Sequence, residues 1–276
     1  MAKSALLKSS IAKKYWMALT GLFLCLFLVG HLVGNLQLIY GTPLQFNSYA
    51  LFMTTNPMVK VLSYVTYLSI IFHAIDGIML TVQNRKARPI RYAKENSSAN
   101  SGFASRNMAV LGTLILIFIV THMVNFWAKM HFDENMPLQT VEVPTQMGNQ
   151  VLYVKTDGSY IPTQDLESGN IIIKNRTEFF AKEADLKIGE GYKDLHKITF
   201  AFFKDAKFGL IATILYVISM VVLAFHLWHG FASAFQSLGL NNPKYNQFIK
   251  GFGKVFSIIV PFLFAIIPVY IHFLAK

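Results

Sequence analysis

The chain has 276 residues, 54% of them hydrophobic and only 14% charged, where an ordinary soluble domain carries roughly 25% charged residues. So few polar side chains cannot cover a water-facing surface of this size, which excludes an ordinary soluble globule. The single cysteine, Cys25, excludes disulfide scaffolds, iron–sulfur clusters and thiolate zinc sites; the net charge of +11 leaves nucleic acid open as a partner until the positions of the cations are read.

Five apolar stretches are long enough for a bilayer crossing, which takes about 20 helical residues. They run from Tyr15 to Ile39, Met58 to Gln83, Asn107 to Trp127, Phe208 to Phe235 and Phe252 to Leu274. Pro261 and Pro268 lie inside the fifth, so a kink is expected there, which membrane helices tolerate. Lys3, Lys8, Lys13 and Lys14 precede the first stretch. Arg85, Lys86, Arg88, Arg91, Lys94 and Arg106 follow the second, against the single acid Glu95. Lys244 and Lys250 follow the fourth, and the link 40–57 carries no charge. By the positive-inside rule the N-terminus is cytoplasmic and the C-terminus outside. The cations then face lipid headgroups and cytoplasmic partners, and the basic balance needs no nucleic acid. The first stretch is too long for a signal peptide, no small-residue cleavage site follows it, and it is read as a retained helix.

The expected fold is an all-α membrane protein, a five-helix bundle with an extracytoplasmic insertion between helices three and four. Residues 1–127 hold the first three helices, 128–206 the insertion, and 207–276 the last two. The insertion holds twelve acids and nine bases. Gln150–Gln164 alternates apolar and polar residues around Asp157-Gly158, a hairpin signal, and Ile171–Ile173 reads as another strand. The charged stretch Glu178–Lys197 reads as a surface helix. No catalytic constellation is visible in the insertion, and a structural cap is the expected role.

His31, His73, His122 and His226 lie in four different predicted helices. Polar groups at such depth are costly and tend to be functional. At about 1.5 Å per residue, His31 and His122 each lie about 22 Å above the inner boundary. Helices two and four run the other way, which puts His73 and His226 in the inner half. Depth therefore pairs His31 with His122 and His73 with His226. Two imidazoles facing one another across a bundle are the usual way to hold a b-type haem. Gly30 and Gly34 beside His31, Ala74 and Gly77 after His73, and Ala224 and Gly230 around His226 leave room for a flat macrocycle, although small residues also serve ordinary helix packing. Zinc needs three or four ligands at one depth, and two per level is too few. A proton relay would recruit acids, yet Asp76 is the only one inside the five stretches. His229 reads either as a neighbour of the cofactor or as an interfacial residue with Trp228. His131 and His196 fall in the insertion, and His272 near the outer end of helix five.

Four stretches resemble the cytochrome b subunit of succinate:quinone oxidoreductases in its single-chain, five-helix, dihaem form, the cytochrome b558 family. They are Gly30–Gln37 (GHLVGNLQ), Ile71–Gly77 (IFHAIDG), Val120–His122 (VTH) and Phe225–Phe235 (FHLWHGFASAF). The resemblance implies that His31, His73, His122 and His226 are the axial ligands of two haem b groups. It implies an anchor for a flavoprotein and an iron–sulfur protein on the cytoplasmic face of a bacterial inner membrane. Electrons would pass between the iron–sulfur protein, the two haems and membrane quinone, with menaquinone expected, while succinate and fumarate would react on the flavoprotein. The insertion 128–206 is longer than the usual link between helices three and four, which puts transfer of the outer quinone site in doubt. Phe46, Asn47, Tyr49 and Phe52 read either as a quinone pocket or as loop packing. Lys13, Lys14 and Arg106 read either as propionate partners or as positive-inside anchors. Two alternatives stay open: a dihaem cytochrome b of formate dehydrogenase or hydrogenase type, and a haem-free membrane transporter.

Overall fold

The computed structural model describes residues 9–87, 102–146 and 148–275, so Lys3, Lys8, Arg88, Arg91, Lys94 and Glu95 lie outside the described residues. The chain is mostly helical. Five helices are long and apolar enough to cross a membrane: Ile11–Tyr40, Pro57–Ala87, Met108–Phe132, Gly209–Ser237 and Pro243–Leu274. Large apolar side chains point away from all packing. Leu26 is 69% and Phe262 62% exposed, as expected where lipid is the solvent. Length and composition thus mark a multi-pass membrane protein.

In chain order, α1 (Ser10–Tyr40) leads to α2 (Pro43–Thr55) and α3 (Pro57–Ala87). Then come the single turn α4 (Phe103–Arg106) and α5 (Met108–His122), which continues through a π-helical segment, Met123–Ala128, into α6 (Lys129–Phe132). Strands β1 (Thr140–Thr145), β2 (Gly148–Val154) and β3 (Tyr160–Pro162) precede α7 (Thr163–Glu167). Strands β4 (Ile171–Lys174), β5 (Glu178–Ala181) and β6 (Leu186–Glu190) lead to α8 (Leu195–Lys204), α9 (Gly209–Ser237) and α10 (Pro243–Val269). The last helix runs through Pro261 and Pro268 and ends in a π-helical turn, Tyr270–Leu274.

Contacts divide the chain into two units. One comprises Met1–Val33, Val61–Val120 and Ile211–Tyr270; the other comprises Gly34–Lys60, Thr121–Leu210 and Ile271–Lys276. In the first, Cys25 of α1 and Leu227 and Phe231 of α9 form a buried cluster, with Ile249 and Phe256 of α10 against it. Gly253 is required there, because a Cβ would lie 2.6 Å from the Phe231 ring. Phe118 of α5 meets Tyr216 of α9 edge to face at 5.0 Å. Elsewhere among the described residues of this unit, the long helices come within 8 Å of one another, Cα to Cα, at no more than isolated points. Directly packed helices have axes 8–10 Å apart and touch along a seam.

The second unit contains two three-stranded antiparallel sheets, β1-β2-β3 and β4-β5-β6. Leu138, Ile161, Ile171 and the fully buried Phe179 form their shared core. The β2–β3 hairpin turns at Asp157-Gly158, where Asp157 Oδ1 accepts from the backbone N–H and the hydroxyl of Ser159 and Gly158 takes a φ of +86°. Those bonds, with Lys155 alongside, hold the Asp157 carboxyl down at about 2. Ile171–Ile173 is a strand, as its β-branched run predicts.

Two expectations are corrected. Glu178–Lys197 is not a surface helix: it forms β5 and β6, and helix begins only at Leu195. Charge density suggested a solvated helix, but Phe179 is buried inside the core, and Gly189 and Gly191 interrupt any helical run. The link 40–57 is not a loop but holds α2. Thr42 Oγ1 accepts from Gln45 N, Gln45 Oε1 accepts from Thr42 N, and Pro43 opens the helix, a complete capping box.

Candidate functional site

α3 and α9 carry His73 and His226 to one place in the first unit. Their ring centroids lie 6.2 Å apart with the planes inclined at 68°. A metal–imidazole bond is about 2 Å, so two imidazoles gripping one metal from opposite sides have centroids about 6 Å apart. Edge-to-face ring packing covers the same range, and the surroundings have to separate the two cases.

Three features of the surroundings favour a bound group. The Nδ1 of His226 is buried and has no hydrogen-bond partner among the described residues. Leaving such an atom unpaired costs about 1–3 kcal/mol, a cost that a ligand or a metal removes. Both rings also face bare backbone on the neighbouring helices. A Cβ at Gly21 of α1 would lie 3.1 Å from His73 Cε1, and one at Gly112 of α5 would lie 3.7 Å from His226 Cε1. Finally, among the described residues the long helices of this unit come within 8 Å of one another, Cα to Cα, at no more than isolated points. Two helices thus supply the rings and two more the glycines that the rings lie against, an arrangement that fits a group held by both imidazoles.

His73 has a polar partner that sequence reading missed. Its Nδ1 lies 3.2 Å from Thr20 Oγ1. Thr20 lies eleven residues before His31, about three helical turns, and so on the same face of α1. That spacing was a readable signal. Gly21 and Gly112 carried a weaker one: each lies ten residues before a predicted ligand, His31 or His122.

His31 and His122 fall in different units. His31 stacks on Phe27 at 5.2 Å and lies 5.7 Å from Phe264 of α10. His122 is 5.3 Å from Phe126, at the entry to the π-helical segment. Of the two predicted pairs, then, His73 with His226 is brought together within one unit. The glycines read as room for a macrocycle divide. Gly30 and Gly230 face open space, Gly77 faces Met17, and the space at Gly34 is filled by the Tyr49 ring, where a Cβ would lie 2.5 Å away. Gly34 therefore serves the packing of α2 on the end of α1.

The remaining candidates are placed as follows. Phe46 and Asn47 are buried and Phe52 is half exposed. Asn47 bonds to Gln139, to Asp194 at 2.8 Å and to the backbone N–H of His196 at 2.9 Å, which accounts for the burial of its amide. Lys13 is buried, while Lys14 and Arg106 are exposed. His131 stacks on Trp127, and its Nδ1 donates to the Trp127 carbonyl. His272 donates to the Phe203 carbonyl at 2.7 Å, and His229 is partly buried on α9. Among the described residues, no cluster of three or more metal-ligating side chains occurs, and a two-ligand site needs none. Compared with protein-family models, with curated proteins and with solved structures, the chain matches none.

Proposed function

We propose that the chain is a dihaem cytochrome b of the kind it resembles, an electron-transfer anchor subunit of a succinate:quinone oxidoreductase. One haem b is held by His73 and His226, the other by His31 and His122. A flavoprotein and an iron–sulfur protein dock on the cytoplasmic face of a bacterial inner membrane, and quinone, menaquinone in the resembling family, exchanges electrons at the far end of the path. The N-terminus is cytoplasmic, and 128–206 and the C-terminus lie outside.

The observation that carries this reading is the approach of His73 to His226 at 6.2 Å, with one buried nitrogen left unpaired. Ordinary edge-to-face packing accounts for the two rings but not for a buried imidazole nitrogen with no partner among the described residues. Bound haem would supply one-electron exchange, a chemistry the side chains themselves lack. The work of the chain is to hold and insulate it. α3 and α9 fix the imidazoles, Gly21 and Gly112 keep two flanking helices bare, and the apolar helices exclude water.

Reduced-minus-oxidised spectroscopy of the purified protein tests the reading. A b-type α-band is expected, and a featureless spectrum would leave a haem-free transporter. Copurification of a flavin-bearing and an iron–sulfur subunit separates the succinate:quinone type from formate dehydrogenase or hydrogenase types. His31→Ala and His122→Ala are expected to lose the same haem. A reporter fused at residue 160 is expected outside the cytoplasm.

A further inference from the structure

We infer that the Thr20 hydroxyl is the positioning partner of His73, accepting the proton of its Nδ1 so that Nε2 faces the haem as a strengthened donor. The inference rests on the haem reading above and goes beyond it to one residue that sets the electronic character of one of the two haems.

Counting hydrogens fixes the direction of the bond between Thr20 and His73. A threonine hydroxyl has one hydrogen to donate and two lone pairs to accept with. Thr20 Oγ1 lies 2.8 Å from the Trp16 carbonyl and 3.2 Å from that of Met17. A carbonyl only accepts, so the hydroxyl hydrogen is committed to its own helix, in the usual back-bond of a threonine inside a helix. Toward His73 Nδ1, at 3.2 Å, Thr20 can then only accept. Nδ1 therefore carries the hydrogen. With Nδ1 turned to Thr20 and Cε1 to Gly21, the lone pair on Nε2 is the one left for a metal.

An imidazole whose far N–H is held by an acceptor is a more basic ligand, and its orientation and tautomer are fixed. It favours oxidised over reduced iron and lowers the midpoint potential. Thr20 thus acts on the haem of His73 and His226 through one ligand only. With its hydrogen held by Thr20, His73 Nδ1 would keep that proton in both oxidation states of a bound haem.

The test is a redox titration of both haems in the purified complex, comparing Thr20→Val, Thr20→Ala and Thr20→Ser with the wild type. Val keeps the shape and loses the acceptor; Ser keeps the acceptor. Thr20→Val is expected to raise the potential of the haem lost in His73→Ala by about tenfold in the reduction equilibrium, about 59 mV for one electron. The other haem should stay put, and Thr20→Ser should titrate like the wild type. If Val disrupts haem binding, Ala against Ser decides the same question. An unmoved potential in Val or Ala with both haems bound, or an equal shift of both haems, overturns the role of Thr20 and leaves the haem reading standing. Absence of any haem from the wild type overturns both.

Discussion

Gly21 and Gly112 look alike in sequence, each a glycine inside a long apolar helix, but their surroundings predict opposite responses to a methyl group. Replacing a helix-interior glycine by alanine favours the helix by about 1 kcal/mol. At Gly112 the new Cβ would stand 3.7 Å from His226 Cε1, an ordinary contact with no strain to set against that gain. At Gly21 it would stand 3.1 Å from His73 Cε1, so the imidazole must shift. Overpacking of this sort costs about 1–3 kcal/mol, which cancels or outweighs the propensity gain. Gly21→Val adds two further methyls and removes the gain, leaving a net cost of about 1–3 kcal/mol at the ligand. At 1.4 kcal/mol per factor of ten, haem retention should weaken by about 5-fold to 150-fold. Haem per chain, measured by pyridine haemochrome after purification and again after extended dialysis, reads this directly. Gly112→Ala should keep two haems, and Gly21→Val should keep one. Equal behaviour of the two variants, or full retention in Gly21→Val, would refute the geometry on which the site is built.

His73→Ala and His226→Ala should each remove the same haem and spare the other; spectra in which they remove different haems would break the pair. Asp194→Ala removes the acceptor for Asn47 Nδ2 and for the Lys197 N–H that opens α8; with both donors at a buried site, a loss of about 2–4 kcal/mol is expected, read as earlier protease cleavage of the full-length protein in detergent. Asp194→Asn, which keeps an acceptor oxygen, should cost less. Burial holds the His196 imidazole below its ordinary value, with Asp194 partly opposing. The unfolded chain therefore takes up the proton first on acidification. Stability tied to His196 is fully present above about pH 6.5 and falls as pH drops below it toward the lower folded value. His196→Phe should flatten that dependence in thermal melts between pH 7 and pH 5, and an unchanged pH slope would count against it.

The five long helices were legible because their apolar runs leave only one solvent in which they can sit. The approach of His73 to His226 was legible for a related reason: helix rise converts position along a membrane helix into depth. α2 is signalled in the sequence only by Thr42-Pro43-Leu44-Gln45, a capped helix start, because its uncharged residues carry no strong apolar periodicity to set it apart from a loop. β5 and β6 were missed because Glu178, Lys182, Glu183, Asp185 and Lys187 drew attention to charge, while Phe179, set inward by alternation, carried the structural information. Thr20 lay on the His31 face and was readable from spacing. Gly21 and Gly112 showed only their spacing to His31 and His122; which ring meets which glycine depends on how neighbouring helices cross, and one chain's periodicity does not contain that.

Asn47 joins stretches of chain that are made at very different times. Its partners Asp194 and His196 come 147 and 149 residues later. At about 5–20 residues per second of synthesis, the buried amide waits about 7–30 seconds before its partners exist. During that interval α2 has its capping box but not its lock, and two more long helices, Pro57–Ala87 and Met108–Phe132, are made. A biosynthetic chaperone or a cofactor-loading factor that acts on the young polypeptide would find this window open, and the arrival of α8 would close it.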